Sequence, residues 1–405
     1  MPSFFVREII ASDKSTLDRE LDKLSVEPAG KYFMRPKGKF YLLKASGIIS
    51  PAGNILKQEM LSLGADCATA RGVVACEIDR SDVLMMGTEK QFSRLIPKLK
   101  KQPFQLKELA REIEQIIQPQ KHWQSFLLKD GRRFDLSEKP AIMGILNVTP
   151  DSFSDGGRHL DTECAIQRGI EMEKHGADII DIGGESTRPG AKEISVIDEK
   201  NRILPVIEGL AGKISVPISV DTRKSEVAKA AIQTGADLVN DVSAMTFDSK
   251  MVEVVKDFNV PVILMHHLGN PQTMQNNPIY LDVIQEIFEF LSERIEFCLE
   301  SGIDAEKIIV DPGIGFGKRL EDNLRIIRNL REFHSLRKPM LLGVSRKSFI
   351  GKIMNTDVKN RMEGSLTAAV IGVQNGAHIL RVHDVLETKI AVSVANEIFR
   401  VKDSE

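Results

Sequence analysis

From residue 141 onward one unit recurs eight times: a short β-branched run, a few polar residues, then a longer helical stretch. The runs read Ile142–Val148, Asp178–Ile182, Pro217–Val220, Leu238–Asp241, Pro261–Met265, Lys307–Val310, Met340–Val344 and His378–Val382. Strands that alternate with helices pair in parallel, and apolar runs of this kind are buried on both faces. Three of the returning helices end alike, at Gly176-Ala177-Asp178, Gly235-Ala236-Asp237 and Gly376-Ala377-His378. Glycine there supplies the left-handed residue that stops a helix before the next strand. Eight such units over roughly 260 residues predict an α/β fold, a closed (β/α)8 TIM barrel. An open doubly wound sheet fits less well, because the Gly-x-Gly-x-x-Gly turn is absent after the first strand.

A barrel of this kind gathers its chemistry at the carboxyl ends of the strands. The polar residues just past the apolar runs are Asn147, Glu185, Asp221, Asn240, His266, Asp311, Lys347, Arg381 and His383. The opposite strand ends carry few such groups. Two of the strand-loop segments are long and distinctive: Gly144-Ile-Leu-Asn-Val-Thr-Pro-Asp-Ser-Phe-Ser-Asp-Gly-Gly157 and Asp178-Ile-Ile-Asp-Ile-Gly-Gly-Glu-Ser-Thr-Arg-Pro-Gly190. Each runs from a buried strand into small polar residues, acids and glycines, which suits a ligand-binding loop.

These two segments resemble the first strand-loop units of the dihydropteroate synthases, enzymes of folate biosynthesis. The likeness continues in order through Ser219-Val-Asp221-Thr222, Asn240-Asp-Val-Ser243, Leu264-Met-His266, Asp311-Pro-Gly-Ile-Gly-Phe-Gly-Lys318, Ser345-Arg-Lys-Ser348 and Arg381-Val-His383-Asp384. It spans roughly residues 123 to 400 and leaves out residues 1 to 120. It implies a transferase that joins 4-aminobenzoate to a dihydropterin bearing a methylene diphosphate, releasing diphosphate with Mg²⁺ present.

By that resemblance Asp311 pairs with the pterin's 2-amino group and ring N–H, with Asn240 and the deep Asp221 completing recognition. A carboxylate suits two parallel donors, and each charge-assisted contact contributes ~1.5–3 kcal/mol. Lys347 donates to the pterin carbonyl or ring nitrogen, and Met265 forms an adaptable wall. Taken singly, Asp221 and Asp311 read equally well as helix caps; together at alternating strand ends they read as a site. Arg381 and His383, two apart on one strand face, would hold the diphosphate, while Arg381 alone also reads as a salt bridge to Asp384. Asn147 resembles the family's oxygen ligand for Mg²⁺, with Asp155 approaching the same ion from its loop. Thr187, Arg188 and Pro189 help assemble the 4-aminobenzoate pocket. There Phe316 and Pro189 sandwich the ring and Ser348 meets its carboxylate. Glycines 156, 157, 183, 184 and 190 suit loop closure, or simple turn geometry.

No activated cysteine, Ser–His pair or transition-metal cluster stands out. Ionisation of a carbon–oxygen bond beside an electron-rich pterin needs none of these. The residues cast in catalysis are Asp221, Lys347, Arg381 and His383. Two related readings are a methyltetrahydrofolate methyltransferase with a corrinoid partner and a non-catalytic pterin-binding paralogue. The first has no need of a diphosphate grip or of the Ser186–Gly190 loop. The second predicts losses at Asn147, Asp221, Lys347 or Arg381, and all are present.

Residues 1 to 120 read as a separate, smaller α+β domain of unassigned role, with the boundary near Gln118-Pro-Gln-Lys121. Strand signals fall at Tyr41–Lys44, Val73–Ile78 and Val83–Met86, helical ones at Gly53–Leu63, Lys90–Leu99 and Leu106–Ile117, the last read as a helix packing on the barrel. Just beyond, Asp130-Gly131 within Ser125–Asp135 predicts a tight hairpin. A net charge of −2 gives no electrostatic case for nucleic acid or an anionic membrane; the partners that the resemblance implies are the two small-molecule substrates. Cys67, Cys76, Cys164 and Cys298 form no C-x-x-C pair, and no signal sequence or membrane-length apolar run is present. A cytoplasmic protein with reduced thiols follows, and the resemblance implies a homodimer. Two departures from the family pattern stand out, Leu268 and Arg319; the latter would alter helix capping or contact an acidic neighbour.

Overall fold

A computed structural model of the chain describes residues 6–9, 14–118, 122–149, 158–186, 193–269 and 278–400. The chain divides into two compact units, Met1–Gln120 and Lys121–Glu405. The first unit runs α1 (Lys14–Lys23), α2 (Pro28–Gly38), β1 (Phe40–Ile49), α3 (Ser50–Ser62), β2 (Asp66–Thr69), β3 (Arg80–Thr88), α4 (Glu89–Leu99) and α5 (Leu106–Ile117). Its three strands form an antiparallel sheet in the order β1-β3-β2. Thr88 opens α4 with a capping box, bonding reciprocally with Gln91. The buried face of α5, Leu106, Ala110, Ile113 and Ile117, joins Phe92, Leu95 and Leu99 of α4 in this unit's own core. The apolar spacing of α5 therefore serves the core of the first unit. Val73–Ile78 is a short 3-10 turn and loop instead of a strand; Asn54 donates to the Val73 carbonyl and fixes the turn.

The second unit begins with a hairpin, β4 (Ser125–Leu127) and β5 (Arg133–Asp135), turned at Gly131 with φ +82°. The repeating units follow: β6 (Ala141–Asn147), α6 (Arg158–Lys174), β7 (Ile179–Gly183), α7 (Val196–Leu210), β8 (Ile218–Asp221), α8 (Ser225–Thr234), β9 (Leu238–Asp241) and α9 (Met251–Asp257). The chain continues through β10 (Val262–Met265), α10 (Val283–Glu300), β11 (Ile308–Asp311), α11 (Leu320–Arg328), β12 (Leu341–Leu342), α12 (Ser348–Met354), α13 (Met362–Gln374), β13 (Ile379–Val382) and α14 (Val385–Arg400). The eight strands pair in parallel in the order β11-β10-β9-β8-β7-β6-β13-β12, and a parallel bridge between Val310 and Met340 joins the two ends. The barrel foreseen from the repeat is therefore present. Gly176, Gly235 and Gly376 take positive φ at the helix ends, where side chains would be strained.

Period-two alternation sorts the strand residues. Ile180 and Ile182, Val220, Val239, Leu264, Val310, Leu380 and Val382 pack outward under the helices. Met143, Ile179, Leu238, Ile263, Ile309, Leu341 and Ile379 fill the interior, with Phe126, Leu128 and Leu136 of the hairpin region packed against them. Phe126 and Phe134 stack at 4.9 Å. The buried Lys307 ammonium fastens this plug by donating to the Leu128 and Asn259 carbonyls at 3.1 and 2.6 Å. The amino end of the barrel is thus closed largely by apolar side chains, and the polar residues that follow them along the strands collect at the carboxyl end.

Candidate functional site

Two residues beyond the apolar layer, each strand places its next interior residue. Ile179 is followed by Asp181, Leu238 by Asn240, Ile263 by Met265, Ile309 by Asp311 and Ile379 by Arg381; β8 contributes Ser219 and Asp221. The alternation that fills the floor therefore delivers a polar ring above it. Arg381 lies across this ring. Its Nε donates to Asp181 at 2.6 Å and one terminal nitrogen donates to Asp221 at 2.6 Å. Asn240 donates to the same Asp181 oxygen at 3.1 Å. The other Asp181 oxygen and the neighbouring Ser219 hydroxyl are buried and, among the described residues, meet no hydrogen-bond partner.

Asp311 ends β11 and accepts from the Gly313 N–H at 2.7 Å. Lys347 stands at the N-cap of α12 and donates to the Ile314 carbonyl, with its ammonium 4.7 Å from the centre of the Phe316 ring. Gly343, the interior residue after β12, lies under both cations: a side chain added there would meet the Lys347 Nζ at 3.7 Å and the Arg381 Cβ at 3.9 Å. Asp221, Asn240, Met265, Asp311, Phe316, Lys347 and Arg381 thus face one space. Ser348 opens α12 beside them and is exposed. His383, just past β13, lies 3.1 Å by its Nδ1 from the Ser345 hydroxyl. His383 and Asn147 line a cleft of about 780 Å³ together with Arg346 and Asp384. Thr187, Arg188, Pro189 and Asp155 fall outside the described residues.

The salt bridge weighed for Arg381 is made by a different arginine. Arg346 takes Asp384 through Nε at 2.9 Å and a second nitrogen at 2.5 Å, which leaves Arg381 to the interior acids. Sequence reading passed over Asp181. Its signal was an acid inside Ile179-Ile-Asp-Ile182, since a charge in the middle of a buried run needs a partner. It also passed over Lys318, buried behind Asp311, and the ion cluster of Lys224 with Glu185 and Glu199, both at 2.7 Å. Arg319 does both things foreseen for it: it precedes α11 and holds Asp322 through its guanidinium and its backbone N–H.

Burial sets the electrostatics of the ring. It pushes Asp221 up to about 7; Arg381 opposes that and the like charge of Asp181 adds to it. Burial also raises Asp311, against the pull of Lys347. Lys347 is brought down to about 8 by burial, with Asp311 resisting. For Arg381 burial works against the charge, but the two carboxylates outweigh it and hold the group above its ordinary value. Acids that meet donors and cations that meet anions are both kept poised in one dry space. Such a space can bind a flat heteroaromatic by its polar edge and stabilise opposite charges as they separate.

The sequence pattern of the pterin binding enzymes matches residues 143–383. The dihydropteroate synthase of Escherichia coli K12 is 46% identical over 279 residues, which cover 69% of this chain and 98% of that protein. A probable bifunctional folylpolyglutamate synthase/dihydropteroate synthase of Halobacterium salinarum is 38% identical over 406 residues, covering 99% of this chain and 48% of that protein. Among solved structures, a Xanthomonas albilineans dihydropteroate synthase with 4-aminobenzoic acid matches with a TM-score of 0.65 at 42% identity, over 69% of this chain and 99% of that one. With the barrel, the ring of acids and cations at its carboxyl mouth and these likenesses in agreement, the chain belongs to the dihydropteroate synthases of the pterin binding enzyme family.

Proposed function

We propose that the ring at the carboxyl mouth joins 4-aminobenzoate to (7,8-dihydropterin-6-yl)methyl diphosphate by ionisation, giving 7,8-dihydropteroate and diphosphate. The observation that carries this reading is the convergence of Asp221, Asn240, Asp311, Lys347 and Arg381 on one interior space. Asp311 and Asn240 grip the pterin edge, Lys347 donates to its carbonyl or ring nitrogen, and Met265 lies against its face. Arg381 and His383 hold the diphosphate. The carbon–oxygen bond breaks with its electron pair leaving on diphosphate. The pterin methylene cation that remains is stabilised by the Asp221 carboxylate. The aniline nitrogen then attacks that carbon, forms the carbon–nitrogen bond and loses a proton to solvent. Phe316 and Ser348, with Thr187, Arg188 and Pro189, supply the 4-aminobenzoate pocket.

Mg²⁺ belongs to this reading. The Asn147 amide is half-buried at the carboxyl end of β6 and shares a cleft with His383, so an oxygen donor stands beside the diphosphate grip. Among the described residues no three His, Cys, Asp or Glu side chains cluster as a metal site. A hard ion that takes one or two protein oxygens and fills its shell from phosphates and water fits that donor set. Asn147 and Asp155 would hold it, and the bound ion would neutralise charge on the diphosphate. A homodimer is also part of the proposal. Leu386, Ile390, Val394 and Ile398, four residues apart and so on one face of α14, form an exposed apolar stripe of the kind that a twofold contact buries. A cytoplasmic setting fits the four free thiols, and among the described residues no helix is long and apolar enough to cross a membrane.

Asp221→Asn tests the chemistry. The variant keeps the fold, since Arg381 retains Asp181, and loses turnover by about 10²–10³-fold, the usual effect of removing one preorganised electrostatic group. Turnover within a few-fold of the parent would remove Asp221 from its role.

A further inference from the structure

Lys318 is buried, yet among the described residues its ammonium meets no carboxylate. It donates to His266 Nδ1 at 2.9 Å, to the Phe316 carbonyl at 3.0 Å and to the His266 carbonyl at 3.4 Å. A buried ammonium held only by neutral acceptors is expensive, so its position asks for a reason beyond stability. The surroundings supply one. The turn from Gly313 to Lys318 lies against the backbone that follows β10: a side chain at Gly313 would strike the His266 carbonyl, and one at Gly317 the Leu268 carbonyl. Gly313, Gly315 and Gly317 all take positive φ. Tyr280 donates to the Gly317 carbonyl at 2.8 Å from the far side. Lys347, on the substrate side, donates to the Ile314 carbonyl of the same turn. Three carbonyls of one short glycine-rich turn, those of Ile314, Phe316 and Gly317, are therefore held by side-chain hydrogen bonds, one of them from the buried Lys318 ammonium.

Lys347 is assigned to the pterin, so its hold on the turn is shared with substrate. Lys318 gives its hydrogen bonds to His266 and to the Phe316 carbonyl, and no substrate contact is assigned to it. We infer that Lys318 is a positioning residue for the second substrate: by fixing the Phe316 carbonyl and the His266 strand end, it sets the angle at which the Phe316 ring meets 4-aminobenzoate. The inference rests on the reading of Phe316 as a wall of that pocket. The histidine is kept neutral by burial, at about 2, which leaves Nδ1 free to accept. Burial lowers Lys318 itself to about 7, with Asp311 holding it up. Asp311 draws its own ionisation first from Lys347 and then from the Gly313 N–H, with Lys318 contributing less. Loss of Lys318 should therefore weigh on the benzoate and spare the pterin.

The experiment is steady-state kinetics of the full chain with each substrate varied in turn, for Lys318→Met, Lys318→Arg, Tyr280→Phe and Phe316→Ala. Lys318→Met is expected to raise KM for 4-aminobenzoate about tenfold, with KM for the pterin diphosphate and kcat within about threefold. Lys318→Arg restores part of the loss. Tyr280→Phe, a milder change that keeps the fold, raises the same KM about threefold. Lys318→Met or Tyr280→Phe variants that leave that KM unchanged, or that raise both KM values alike, overturn the inference. Phe316→Ala separates the two levels: if it raises KM for 4-aminobenzoate while Lys318→Met does not, the inference falls and the pocket stands. If Phe316→Ala moves nothing, the pocket reading falls and takes the inference with it.

Discussion

Asp181 and Asp221 share a single guanidinium, so this trio at the centre of the barrel carries one more negative charge than positive. Burial is the main reason Asp221 rests near 7, and the like charge of Asp181 adds to it. The proposed chemistry needs the Asp221 carboxylate. Turnover should therefore fall as pH drops through about 7, where that group takes up a proton. Asp181→Asn removes the like charge while an amide can still meet Arg381. The acid limb of the kcat profile should then move to lower pH; a limb that stays in place would dissociate it from Asp221. At this scale much was legible. Asp221, Asn240, Asp311, Lys347 and Arg381 stood at strand ends, where a barrel must expose them. Partner choice was not legible. Arg346 and Arg381 both had Asp384 within plausible reach along the chain, and only the inward turn of Arg381, set by strand alternation against Ile379, divides them.

At the scale of elements, the barrel strands were readable because most are β-branched runs and three follow a helix stopped at glycine, at Gly176, Gly235 and Gly376. β12 is only two residues long, because Gly343 and the turn after it leave the sheet to bring up Lys347. In the first unit, β2 and the two leading helices were unreadable: α2 buries no residue, so its apolar spacing carries no signal. The closed end of the barrel gives its own prediction. Trp123 stands edge-on to His378 at 5.3 Å and to His334 at 5.0 Å. His378 accepts from the Met340 N–H at 3.1 Å, and burial lowers it from 6.5 to about 3. Protonation is thus harder in the folded chain than in the unfolded one. The contribution of His378 to stability is complete above pH 6.5 and is lost as pH falls through that window towards 3. Urea midpoints followed by fluorescence of Trp123, the sole tryptophan, should decline from pH 7 to pH 4. His378→Asn should flatten that decline. An equal decline in the variant would assign the acid sensitivity elsewhere.

For the whole molecule, the Escherichia coli relative is almost fully matched by the barrel part of this chain, whereas the Halobacterium salinarum relative is matched along nearly all of it. The match therefore extends over the first unit in the Halobacterium salinarum relative and leaves about a third of this chain unmatched in the Escherichia coli one. The proposed homodimer belongs to this scale too. Ile390→Glu, in the middle of the α14 stripe, should convert a dimer to monomers in light scattering; an unchanged mass would move the contact away from that helix. The most direct measurement of the central claim is diphosphate release from (7,8-dihydropterin-6-yl)methyl diphosphate, with 4-aminobenzoate and Mg²⁺ each supplied or withheld. The ring at the carboxyl mouth predicts release that depends on all three, with 7,8-dihydropteroate formed in equal amount. Pterin binding with no release under any combination would contradict it.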